Sequence, residues 1–109
     1  MSERVQFESY DIGKVNARYI SGKSLADGTT IRGAILGVRR EVVGDESKDV
    51  LYLEGVPQGL CLNSTNRKYL VAKLGAVTGN WAGALIEIYG AEGAYKGEPC
   101  TVAKVRLVQ

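Results

Sequence analysis

The residues of this chain best suited to chemistry are cations and phenols spread along β-like runs. Arg32, Arg39 and Arg40 lie in "TTIRGAILGVRREVV", Tyr52 in "VLYLEG", Tyr95 and Lys96 in "GAEGAYKGEP", and Lys104 and Arg106 in "TVAKVRLV". Guanidinium and ammonium groups pair with phosphate oxygens, and phenol rings offer a face to a planar base. Grooves that hold single-stranded nucleic acid combine the two. The same residue types are ordinary on solvated strand faces, where positive charge also discourages edge-to-edge pairing. The set acquires meaning only if the fold gathers it on one face.

Other chemistries have little to work with. The chain has no histidine, so a histidine general base and the commonest nitrogen ligand of zinc are absent. Cys61 and Cys100 sit in or beside apolar runs, and two cysteines are too few for a disulfide framework; half-buried thiols are the expectation. Asp45, Glu46 and Asp49 crowd the segment "GDESKD", which reads as a solvated hairpin tip rather than a metal or acid–base site. The segment "ARYISGKS" ends like a phosphate-binding loop, but alanine stands where its first glycine is required. Asn63-Ser64-Thr65 spells a glycosylation sequon, which capping of a helix explains better. These residues predict no catalytic group, no metal and no cofactor, and hence a non-enzymatic protein.

The elements that must position the cations follow from patterning. From Thr29 to Val43, β-branched residues without a helical stripe predict a long strand, with Gly33 and Gly37 permitting a bulge or bend. Val50–Glu54 alternates Leu51 and Leu53 on one side with Val50 and Tyr52 on the other, and Leu60 and Leu62 make a short third strand after the Pro57–Gly59 turn. Asn63 or Ser64 then caps a short helix whose apolar stripe is Leu70, Val71 and Leu74. Gly75 ends it in the left-handed region, and Arg67, Lys68 and Lys73 face water. Ala84–Tyr89 turns Ile86 and Ile88 to one face and Glu87 and Tyr89 to the other. Thr101–Val108 turns Ala103, Val105 and Leu107 inward and Lys104 and Arg106 outward. Between them Gly90–Pro99 reads as a flexible hairpin connection, and Trp81 as a core residue at the helix-to-strand corner.

That order, with the helix between strands three and four, is the order of a five-stranded OB-like Greek-key barrel, the helix plugging one end. A small β-sandwich is the competitor, but its plan has no place for a lone helix there. The 109 residues make a single domain, large enough at 45% hydrophobic to bury a small core. Residues 1–17, with Phe7, Tyr10 and Ile12, are expected to add an edge strand or to stay as a flexible arm. Met1–Tyr10 is charged and carries no apolar signal core, and no run approaches a membrane span, so a cytoplasmic protein is expected. A net charge of +2 implies no polyanion partner unless the cations cluster locally.

The succession "ARYISGKSLADG", "VLYLEG", "LNSTN", "NWAG" and "IEIY" resembles a family of small phage and prophage proteins. The likeness rests on Leu62, Asn63, Thr65, Asn66, Trp81 and Gly83 and covers roughly residues 18–108. It implies an OB-like fold and an association with phage DNA metabolism. The chain departs from the pattern at Ala84, where the family commonly carries lysine or arginine. Together these observations lead to an expected phage accessory protein that binds single-stranded nucleic acid. The alternative is a module, self-associating or not, that binds a replication or host protein.

Overall fold

A strand of thirteen residues with glycines inside it can serve two neighbours in succession, and that is what the first strand does. The computed structural model describes residues 19–108. The expectation for residues 1–17 lies outside them. The strands are β1 (Ile31–Val43), β2 (Glu46–Leu53), β3 (Leu60–Cys61), β4 (Leu85–Tyr95) and β5 (Glu98–Leu107), with helix α1 (Ser64–Leu74) between β3 and β4. They form one antiparallel sheet in the order β3-β2-β1-β4-β5. β1 pairs through Ile31–Ala34 with β4 and through Ile35–Val43 with β2.

A bulge marks the change of partner. Ile35 stands opposite Leu53 and Gly37 opposite Tyr52, so Leu36 is an extra residue that shifts the alternation of side chains by one. Upstream of it Arg32 faces away from the core while Ile31 and Ile35 face it; downstream, Val38 faces the core and Gly37, Arg39 and Glu41 face away. Two short 3-10 turns, Gly22–Leu25 and Thr78–Trp81, cover the core side. The core itself joins Leu25, Ile35, Leu51, Leu53, Leu70, Trp81, Ile86 and Ile88, all at most 2% exposed.

Both long hairpins are more regular than their polar sequences suggest. Expected as a charged tip, "GDESKD" contributes only Gly44 and Asp45 to the turn, and Glu46 already pairs with Val43. The hairpin expected at Gly90–Pro99 is paired almost to its tip, with a continuous ladder from Ile86–Leu107 to Tyr95–Glu98 closed by Lys96 and Gly97, both at positive φ. Solvated ladder positions need no apolar side chain, so backbone pairing outruns the hydrophobic pattern. β3 is shorter than expected; Leu62 lies beyond it, its N–H donating to the Asp49 carbonyl at 2.9 Å.

Helix α1 begins as its sequence dictates, with the Asn63 side chain accepting from the Asn66 N–H at 2.8 Å. Gly75 ends it at φ +98, ψ 170, outside the expected left-handed region but in a conformation that favours glycine. The stripe is corrected at one position: Val71 is 38% exposed, and the inward face is made by Asn66, Tyr69, Leu70 and Leu74. That face meets β5. The Asn66 amide donates to the Ala103 carbonyl at 2.9 Å, and the Tyr69 hydroxyl accepts from the Leu107 N–H at 2.9 Å. The sheet is open, with β3 and β5 as its edges, and α1 hydrogen-bonds the β5 edge.

Candidate functional site

Register decides which cations share a face. On the side away from the core, Arg32 of β1 lies opposite Glu87 of β4, and Glu87 lies opposite Arg106 of β5. The three side chains form a ladder across three strands: Arg32 Nε meets Glu87 Oε2 at 3.1 Å, and Arg106 Nε and Nη2 both meet Oε1 at 2.8 Å. The Glu87 side chain keeps only 8% exposure between them, whereas Arg32 and Arg106 keep 64% and 52%. The Arg106 guanidinium lies over the Tyr89 ring, 4.2 Å from its centre. Lys104 stands opposite Tyr89 on the same face, half-buried.

The β1–β2 half of this face is a tyrosine–carboxylate cluster beside a groove. Glu41 accepts from the hydroxyls of Tyr19, at 2.7 Å, and Tyr52, and Arg39 approaches it loosely at 3.8 Å. An open groove of about 390 Å³ is lined by Leu36, Gly37, Val38, Arg39 and Tyr52. Val50 shares the face with Tyr52 yet is fully buried, because the chain at Gly59 presses on it. A Cβ at Gly59 would lie 2.5 Å from Val50 Cγ1 and 2.9 Å from the Tyr52 ring.

The expected site residues therefore divide. Arg32, Arg39, Tyr52, Lys104 and Arg106 share the outer face. Arg40 does not: successive strand residues point to opposite faces, and Arg40 pairs with Asp49 at 3.1 Å on the side of the sheet that also carries Val38 and Leu51. Tyr95 and Lys96 do not join the set either. They lie at the β4–β5 turn, roughly 23 Å of strand beyond Ile88, where pairing with β1 ends. Sequence reasoning placed Glu87 outward but missed that two arginines converge on it, since only the cross-strand register shows this. It also missed the exposed Leu36 and Leu85, which are 60% and 46% exposed.

The Arg106 hydrogen bond, and after it that of Arg32, hold the Glu87 carboxyl below the ordinary glutamate value of 4.5, against the opposing effect of burial. A depressed folded-state pKa contributes stability that is complete above the unfolded-state value and is lost as pH falls through the folded-state value. The melting temperature at neutral pH should therefore exceed that of Glu87→Gln, and the gap should narrow as pH falls below the ordinary glutamate value of 4.5. Thermal melts of both proteins across an acid pH series test this; a gap that shows no narrowing at any acid pH would show that Glu87 acts without its charge.

Cys61 and Cys100 are free, half-buried thiols, and burial pushes the Cys61 thiol up, which suits a packing role. Among the described residues no group of histidine, cysteine or carboxylate side chains could hold a metal ion, and no helix is long and apolar enough to cross a membrane. No family model, no curated protein and no solved structure matches the chain.

Proposed function

We propose that this chain is a non-enzymatic, cytoplasmic phage or prophage accessory protein with an OB-like Greek-key barrel, and that its outer face binds single-stranded nucleic acid. Strand order and the position of α1 between β3 and β4 support the barrel. The resemblance of "LNSTN" and "NWAG" to small phage proteins supports the setting. The observation that carries the binding reading is the placement of Arg32 and Arg39 of β1 and Lys104 and Arg106 of β5 on one face, beside a groove walled by Tyr52. Phosphates would meet the cations, and a base would meet Leu36 and Tyr52 in the groove.

Anisotropy of a labelled oligothymidylate across a salt series tests the reading. Three to four phosphate contacts should give a log–log slope of about −2 to −3, and Arg39→Ala should make it shallower by about 0.7 while leaving the melting temperature nearly unchanged. Absence of binding at low salt sinks the proposal. A second reading has its own observation: Leu36, Leu85 and, on the other face, Val42 at 70% exposure are large apolar groups in water. They favour a surface for a replication or host protein or for self-association, whose affinity would hardly respond to salt.

A further inference from the structure

We propose that Arg32, Glu87 and Arg106 form a two-pronged phosphate clamp, with Glu87 as the positioning residue that presents both arginines to consecutive phosphates of a strand. The clamp rests on the nucleic-acid reading above and specifies how this half of the face would work. Arg32 uses only its Nε on the carboxylate, and Arg106 uses Nε and Nη2. Both terminal nitrogens of Arg32, and Nη1 of Arg106, have no other partner among the described residues and belong to side chains more than half exposed. Two cations on one carboxylate leave a net positive charge. Because that carboxylate is almost covered, an anion arriving from solvent meets guanidinium donors first.

The geometry also removes the usual cost of using arginine on an open strand. A free arginine loses rotamer entropy when it binds; here the carboxylate fixes one prong, and the carboxylate and the Tyr89 ring fix the other. The prongs stem from strands on either side of β4, roughly 9.5 Å apart at the backbone. With the Tyr89 face covered by Arg106, no base stacks there, so this half reads phosphates and carries no sequence preference.

Oligothymidylate binding by the full chain tests the clamp with charge-preserving variants. Arg32→Lys with Arg106→Lys keeps both charges but loses the planar, multi-donor groups, and binding should weaken about tenfold. Glu87→Gln removes a negative charge, so attraction by charge alone predicts tighter binding, whereas loss of positioning predicts weaker binding. Lys68→Ala, on the helix, controls for simple loss of charge and should weaken binding far less than the lysine pair. Unchanged affinity in the double lysine variant, or tighter binding by folded Glu87→Gln, overturns the clamp while leaving the nucleic-acid reading standing. No binding by the unsubstituted protein overturns both. Inorganic pyrophosphate as competitor separates the phosphate sources: displacement only in large excess supports a strand, and displacement at equal concentration overturns that assignment.

Discussion

Trp81→Ala should destabilise the fold by about 3–5 kcal/mol, a large share of the 5–15 kcal/mol typical of a domain. The indole is 1% exposed within the main core, and its Nε1 donates to the Gly75 carbonyl at 2.8 Å. That bond ties the end of α1 to the 3-10 turn that leads into β4, so truncation removes both core volume and the link between two elements. Trp81→Phe retains most of the packing and should cost clearly less, because the freed Gly75 carbonyl belongs to an exposed residue that water can reach. Urea midpoints for the two variants decide the matter; equal losses would mean that the hydrogen bond, not the volume, dominates. An indole so enclosed cannot stack a base, so an oligonucleotide that binds the outer face should leave tryptophan emission unchanged.

Much of the fold was legible because its determinants are local. Asn63 as the cap, Gly75 as the stop, Trp81 as a core corner and the inward set Ile86, Ile88 and Val105 each follow from a residue type at a position within one element. The missed ladder of "GAEGAYKGEP" and the early start of β2 share a cause. Where a hairpin projects into solvent, glycine and charge are tolerated on the strand, and the pattern that betrays buried strands is absent. Val71 failed for a different reason: α1 turns Asn66, buried, and Tyr69, half-buried, to the sheet, where their polar atoms find β5 backbone partners, and no hydrophobic pattern marks a face built from an amide and a phenol.

The site was legible only residue by residue. Alternation alone says that Arg39 and Arg40 point opposite ways; which of them joins Arg32 depends on Leu36, the extra residue of the bulge. In a regular strand without the bulge, Arg39 would share the face of Ile35 and Arg40 would take its place beside Arg32. Glu87 illustrates the other limit. A single outward glutamate between isoleucines carries no sign that arginines 55 residues upstream and 19 downstream will bracket it, because register is a property of the assembled sheet. The "LNSTN" and "NWAG" residues, by contrast, are occupied structurally: Asn63 caps, Asn66 is 2% exposed on β5, Trp81 fills the core, and the Gly83 N–H donates to Ile35 at φ +90. The motif thus describes how the helix is seated.

Leu70→Ala should cost about 2–5 kcal/mol, and Asn63→Ala about 0.5–2 kcal/mol. Leu70 is fully buried on the face of α1 turned to the core, and an eleven-residue helix is too short to hold itself together in water, so its stability is tertiary. Truncating Leu70 leaves a cavity between the helix and the sheet. Its neighbours Asn66 and Tyr69 are bonded to β5, so the helix cannot slide inward to fill that space without breaking those bonds. The cap, by contrast, lies at an exposed helix start, where water replaces part of the lost bond. Neither residue lies on the outer face, so oligonucleotide affinity measured well below the melting temperature should match that of the unsubstituted protein. A denaturant midpoint lower for Asn63→Ala than for Leu70→Ala would contradict this account of α1 as an element held by its buried stripe.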